Sequence, residues 1–261
     1  MILSHRHRFI FIKTRKTAGT SIEASLSRYC GPDDIITPVT LEDEWFRGQF
    51  GLGPQNFRND AAADDRSPQG RPLRSMALRA VSRIELRRPG TVPYRIRRSV
   101  VNDRGAPAAQ AKGFYNHMPL SEVLQHVGED VVNSYFKFTF ERNPFDKVAS
   151  DYWYRASDRS LDDYLRDGPL PADFDKYAID DRIAVDFVGR FENIQADLAH
   201  ALRQVGLEFD GWLPRAKTRT RRSGVSAADL NEQQRDRIRT VFAREFDAFG
   251  YARDAAAETR T

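Results

Sequence analysis

The strongest constraint on the fold is a change of periodicity near the start of the chain. Phe9-Ile10-Phe11-Ile12 is an uninterrupted apolar run, Arg15-Lys16-Thr17-Ala18-Gly19-Thr20-Ser21-Ile22 is basic and small, and an amphipathic stretch follows. An apolar run closed by a turn signal predicts a buried strand over residues 8–14, and the stretch after it a helix over 20–29. Such a junction suits an anion, because the first amides of a helix lack intrahelical acceptors and the helix dipole favours negative charge there. Gly19 lets the backbone approach a ligand, Thr20 and Ser21 add hydroxyl donors, and Lys16 adds a point charge. A Walker A loop runs G-x-x-x-x-G-K-[ST], whereas here the lysine precedes the glycine, so the turn predicts a nucleotide phosphate without the usual Mg-ATP site.

A second junction repeats the pattern. Tyr135-Phe136-Lys137-Phe138-Thr139-Phe140 alternates as a strand, and Glu141-Arg142-Asn143-Pro144 leads into a predicted helix over 144–157. Pro144 suits a first helical turn, so Arg142 is delivered at the carboxyl end of the strand, the edge where open parallel sheets bind ligands. Arg142 and Ser150, two helical turns on, are candidates to hold a second phosphate. Further helices are expected over 120–127, 161–167, 179–189, 194–205 and 227–246, and strands alternating with helices predict a parallel sheet covered on both faces. Gly206 is a helix stop, and Ser226 with Asp229 resembles a capping arrangement.

Together these residues resemble a family. Lys16-Thr17-Ala18-Gly19-Thr20-Ser21 after the first strand, Arg142-Asn143-Pro144-Phe145-Asp146 with Val148-Ala149-Ser150-Asp151-Tyr152 after a later one, and Phe191-Glu192-Asn193-Ile194 are similar to sulfotransferases that use 3'-phosphoadenosine 5'-phosphosulfate. The carbohydrate-type branch that includes heparan sulfate 2-O-sulfotransferase is the nearest in pattern. The resemblance implies an α/β fold of the P-loop NTPase-like kind, a parallel sheet flanked by helices with an irregular insertion after the first helix. It places the 5'-phosphosulfate on Lys16 to Ser21 and the 3'-phosphate on Arg142 and Ser150. Arg15 stands where relatives often carry proline, and it either adds charge to the phosphosulfate site or points to solvent. Tyr115-Asn116-His117-Met118-Pro119 resembles the branch's Gly-His-x-Pro segment, which makes His117 the expected base toward the acceptor hydroxyl and Asn116 a departure from pattern. Imidazole suits that work, with an unperturbed pKa of about 6.5. A basic run, Lys217-Thr218-Arg219-Thr220-Arg221-Arg222, corresponds in position to a loop that closes over the 3'-phosphate, and Arg222 is its candidate.

The remaining composition narrows the alternatives. At 261 residues one α/β domain spanning the chain is expected, with residues 45–113 as an insertion over the acceptor site. That insertion is rich in Gly, Pro and Arg and has one predicted helix over 73–86; its arginines either recognise acidic groups or form a solvated face. The lone Cys30 forbids an internal disulfide, and no Cys/His cluster has metal-ligand spacing, so the scheme calls for no metal. Residues 1–8 read as a frayed, His- and Arg-bearing start, and no apolar stretch approaches the ~20 residues of a membrane span, so a cytoplasmic enzyme is expected. Tyr152, Trp153 and Tyr154 either line the site or belong to the core. Net charge is +4 with a pI near 9.2, modest for a nucleic-acid-binding protein. That reading and an ATP-dependent P-loop kinase are the rivals; the partners expected are a nucleotide sulfate donor and a hydroxyl acceptor, carbohydrate by resemblance.

Overall fold

A computed structural model describes residues 1–58, 113–155, 159–216 and 225–253. Seven strands are present among them: β1 (Ile2–Ser4), β2 (Phe9–Phe11), β3 (Ile35–Ile36), β4 (Phe136–Glu141), β5 (Ala178–Ile179), β6 (Arg182–Ile183) and β7 (Phe187–Arg190). The α-helices are α1 (Gly19–Ser27), α2 (Leu41–Gly48), α3 (Leu120–Val127), α4 (Glu129–Ser134), α5 (Pro144–Arg155), α6 (Leu161–Asp167), α7 (Phe174–Tyr177), α8 (Ile194–Gln204), α9 (Glu232–Val241) and α10 (Ala243–Phe249).

Five strands form one sheet in the order β3-β1-β2-β4-β7. β2 pairs with β4 and β4 with β7 in parallel, while β1 is antiparallel to both β2 and β3, so four strands share one direction and β1 opposes them. The architecture is therefore mixed α/β, with helices on both faces. Alternation in the strands sorts the core. Ile2, Phe9, Phe11, Phe138 and Phe140 face α1 and α8, whereas Met1, Leu3, Ile10 and Ile12 face α3 and the segment around α7. A third cluster, including Phe145, Val148, Tyr152, Tyr164, Ile238 and Phe246, packs α5, α6, α9 and α10 together. No helix among the described residues is long and apolar enough to cross a membrane.

Three expectations are corrected. The start is not frayed: Ile2 and Leu3 are fully buried, His5 bonds the Tyr135 hydroxyl at 2.7 Å, and the His7 ring meets the Tyr29 carbonyl at 3.1 Å. Residues 179–189 are not a helix but the β5-β6 hairpin and strand β7; Asp180 and Asp181 both take positive φ, as a two-residue hairpin turn demands. The stripe of Ile179, Ile183, Val185 and Val188 is β-branched, which favours strands. The last helix is broken: Ser226 and Asp229 do form a capping box, on a single 3-10 turn, and Asn231 then caps α9 anew with Gln234. The helix expected over 73–86 and the Lys217 to Arg222 run lie outside the described residues.

Candidate functional site

Parallel pairing of β2, β4 and β7 brings the segments after their carboxyl ends to one edge. The segment after β2 is stitched to β4: Ile12 N donates to the Phe138 carbonyl (2.9 Å), Thr139 Oγ1 donates to the Ile12 carbonyl (2.7 Å), and Thr14 Oγ1 donates to the Phe140 carbonyl. Thr14 and Thr17 hydroxyls pair at 3.0 Å beneath the turn. The turn winds through two left-handed residues, Lys16 (φ 64°) and Ala18 (φ 59°), neither of them glycine. Each such residue costs about 1–2 kcal/mol and persists only where the surroundings over-determine it.

Ala18 is the N-cap of α1, with no side-chain cap and no acidic residue in the first turn. The first bond across this junction runs from Ile22 N to the Ala18 carbonyl, so the amides of Gly19, Thr20 and Ser21 precede the helical ladder. Ser21 Oγ accepts from Ala216 N at 3.2 Å, and past the undescribed residues that include Arg222, the Val225 carbonyl accepts from Trp153 Nε1 at 3.0 Å.

Beneath the turn lies a lysine that sequence inspection overlooked. Lys13 is 3% exposed, and its stem crosses Gly19 so closely that a Cβ there would fall 2.8 Å from Lys13 Cγ. Glycine is required at 19 for that contact. Lys13 Nζ then reaches Glu23 at 2.6 Å, one turn into α1. Burial would raise the Glu23 pKa, but the Lys13 ammonium, the Met1 ammonium 2.5 Å away and Arg47 together more than offset it and hold the carboxyl well below its ordinary range. The clue available in the sequence was Glu23 itself, an acid on a helix whose residues are all buried.

His117 arrives from 104 residues away and bonds the same lysine: its Nδ1 lies 2.9 Å from the Lys13 carbonyl. A carbonyl can only accept, so Nδ1 carries the proton and Nε2 carries the lone pair. Burial first, then the charge of Lys13, pull the His117 pKa down from 6.5 to about 3, with Asp173 opposing, so the ring is neutral at ordinary pH. His117 is itself left-handed (φ 60°), and its carbonyl accepts from Lys176 Nζ at 2.8 Å.

Arg142, after β4, joins the two junctions: Nη1 donates to the Lys16 carbonyl at 3.4 Å, and the guanidinium lies 4.2 Å over the Phe191 ring. Asn143 N donates to Glu192 at 2.8 Å, and Asn143 Oδ1 accepts from Phe145 N at 3.0 Å to start α5. The Phe191-Glu192 pair thus braces Arg142 and its neighbour. Ser150 is half-buried on α5, one helical turn before Tyr154, whose ring lies 4.4 Å from Lys16 Nζ. Residues four apart share a helix face, which puts Ser150 on the side of the Lys16 turn.

The Arg15 side chain is tied back into the protein and does not point to solvent. Its backbone N and Nε donate to Asp173 at 2.5 and 2.8 Å, and its terminal nitrogens donate to the carbonyls of Pro169, Leu170 and Ala172. The guanidinium is a brace against residues 169–173. Asp173 is 1% exposed; burial would raise its pKa, but Lys147 and Arg15 hold it below the ordinary value. Lys147 is 3.8 Å from Asp173 and 2.7 Å from Glu141, a carboxyl that burial pushes up to about 7 against the pull of that lysine.

The described residues define a mixed α/β protein whose parallel strand ends gather a basic, left-handed turn, a helix N-terminus without a side-chain cap, an arginine and a neutral histidine. No protein-family model matches the chain, and no solved structure does. The chain belongs to one family with an uncharacterized protein of Archaeoglobus fulgidus, 30% identical over 100 residues that take in 34% of this chain and 83% of the relative.

Proposed function

We propose that the protein is a sulfotransferase that moves the sulfuryl group of 3'-phosphoadenosine 5'-phosphosulfate to an acceptor hydroxyl, carbohydrate in class, on a P-loop NTPase-like core. The observation that carries this reading is the meeting of three segments on one turn. The Lys13 carbonyl holds His117 through Nδ1 and leaves the lone pair on Nε2, the Lys16 carbonyl holds Arg142, and the same turn opens the N-terminus of α1. Each part of that convergence has a role in anion chemistry.

In the reaction, the acceptor oxygen attacks sulfur in line while its proton passes to Nε2 of His117. The bond from sulfur to the bridging oxygen breaks, and the electron pair stays on the 5'-phosphate of the departing 3',5'-adenosine bisphosphate. Lys16 and the amides of Gly19, Thr20 and Ser21 stabilise charge growing on that oxygen, where fixed donors act mainly on the transition state. Arg142 and Ser150 hold the 3'-phosphate and so separate this donor from ATP. The low basicity of His117 in the free protein rises as the donor's negative charge enters, because nearby anions favour imidazolium. Arg15 serves the turn from behind and touches no phosphate.

Calorimetric titration with 3',5'-adenosine bisphosphate, against 5'-AMP and ATP without metal, tests the reading. Binding that needs the 3'-phosphate and weakens by roughly tenfold or more in Arg142→Ala, the worth of a hydrogen bond to a charged group, is expected. A preference for Mg-ATP would replace it with a kinase.

A further inference from the structure

The acid that ties the site together lies on the segment against which Arg15 is braced. Asp173 lies just before α7, fully surrounded, and makes contacts in three directions. One oxygen accepts the Arg15 backbone N–H and the other accepts Arg15 Nε, which fixes the residue directly before left-handed Lys16. Lys147, 3.8 Å away, connects it to Glu141 at the end of β4, the residue before Arg142. Asp173 also begins the turn that carries Lys176, through the bond from Lys176 N to the Asp173 carbonyl at 2.9 Å. Lys176 Nζ in turn fixes the carbonyl of left-handed His117.

A buried carboxylate with two donors from one residue is a costly arrangement to leave incomplete. Two left-handed segments, 158 residues and 56 residues from Asp173 in sequence, are held through this one short stretch.

We propose that Asp173, through Arg15 on one side and Lys176 on the other, is the positioning residue that sets both the Lys16 turn and the tautomer of His117. The inference rests on the functional reading for what the turn and the histidine do, though the geometry it asserts does not. The charged groups that bear on His117 are Lys13 from the turn, Asp173 before α7 and Lys176 within α7. With Asp173 intact the Lys13 carbonyl stays against Nδ1. Without its charge and second acceptor oxygen at most one of the two Arg15 bonds can form, and the Lys13 carbonyl is free to move off the ring. Asp173 and Lys176 touch no reacting atom.

The test uses the full chain with 15N-labelled histidine, as wild type, Asp173→Asn and Lys176→Met. Imidazole nitrogen shifts report the tautomer of each histidine, and His126, whose Nδ1 meets the Glu122 carbonyl at 2.8 Å on α3, is an internal control in the same spectrum. Wild type is expected to hold His117 as the Nδ1–H form. Both variants are expected to shift its tautomer ratio toward Nε2–H by about fivefold, the worth of one net hydrogen bond, with His126 unmoved. Affinity for 3',5'-adenosine bisphosphate falls in Asp173→Asn and is kept in Lys176→Met, because only the first reaches the turn.

An unchanged His117 signal in folded Asp173→Asn overturns the proposal. If that variant does not fold, an unchanged signal in Lys176→Met, which alters a half-buried side chain, overturns it equally. If wild type fails to bind the bisphosphate while the His117 shifts occur, the sulfotransferase reading falls and the positioning role stands. Binding with no shift gives the reverse.

Discussion

Replacing Lys13 and Glu23 one at a time and together measures how much the turn depends on its buried foundation. The two side chains are 4% and 0% exposed and 2.6 Å apart. Removing one partner of such a pair costs about 3–5 kcal/mol, whereas replacing both with apolar side chains of similar volume is close to neutral. Methionine at 13 keeps the stem that lies across Gly19, so packing there changes little. Glu23 also holds the Met1 ammonium at 2.5 Å, so Lys13→Met leaves the carboxylate one cation whereas Glu23→Met strands two. Glu23→Met should therefore lower the unfolding free energy by about 3–5 kcal/mol, Lys13→Met by less, and the double variant should recover only the part owed to Lys13. For a chain of this length 1 kcal/mol is about 2–4 °C, so Glu23→Met should lose roughly 6–20 °C in Tm. Urea unfolding of the four proteins at neutral pH gives the cycle directly. Additive losses, or a Glu23→Met loss below about 1 kcal/mol as for an exposed pair, would refute the buried-pair argument. The pH dependence supplies a second check. The folded Glu23 pKa lies below its unfolded value, so its contribution is present above about 4.3 and disappears as pH falls; Glu23→Met should decline less steeply in acid.

Ala18→Gly relieves a left-handed alanine worth about 1–2 kcal/mol of strain and loses part of that gain to chain entropy, so denaturant unfolding should show stabilisation of up to about 1 kcal/mol. Gly189→Ala would place a Cβ 2.5 Å from the Phe140 ring between β7 and β4; it should cost about 1–3 kcal/mol, and Phe140→Leu in the same chain should return part of the loss in a thermal melt. His117 is neutral when folded and protonates near 6.5 when unfolded, so unfolding takes up a proton between about pH 3 and 6.5 and stability falls as pH falls through that window. His117→Gln should flatten the stability slope there by up to about 1.4 kcal/mol per pH unit, and an unchanged slope would mean that the ring is already solvated.

Two of the five sheet strands, β2 and β4, and the front of the site were readable from local pattern, whereas β1, β3 and β7 were not. β2 is a contiguous apolar run and β4 an alternating one, each followed by turn residues, and Pro144 and Gly206 mark helix ends at the expected places. β1 escaped because three residues give no periodicity, and only pairing with Phe9 to Phe11 makes them a strand. α2 was passed over although Thr40 caps it by accepting from Asp43 N. Lys16, Gly19, Thr20 and Ser21 could be placed at a helix start because that position follows from the chain itself. The fate of the Arg15 side chain could not, since it is decided by Asp173, far along the sequence. Lys13 looked like the end of a strand, and its role depends on the closeness of Gly19 and on which helical face Glu23 occupies. Long-range partners of buried charge leave no local periodicity to read.

Lys13 has a consequence for anyone wishing to move this turn to another scaffold. Its carbonyl meets His117, its stem lies on Gly19, and its ammonium meets Glu23. A graft of residues 15–22 alone would transfer the hydroxyls and the sequence signature yet leave behind the contacts that enforce two left-handed residues, and it would relax to an ordinary loop. The smallest transplantable unit runs from Lys13 through Glu23 and must be met in the host by an acid in the place of Asp173.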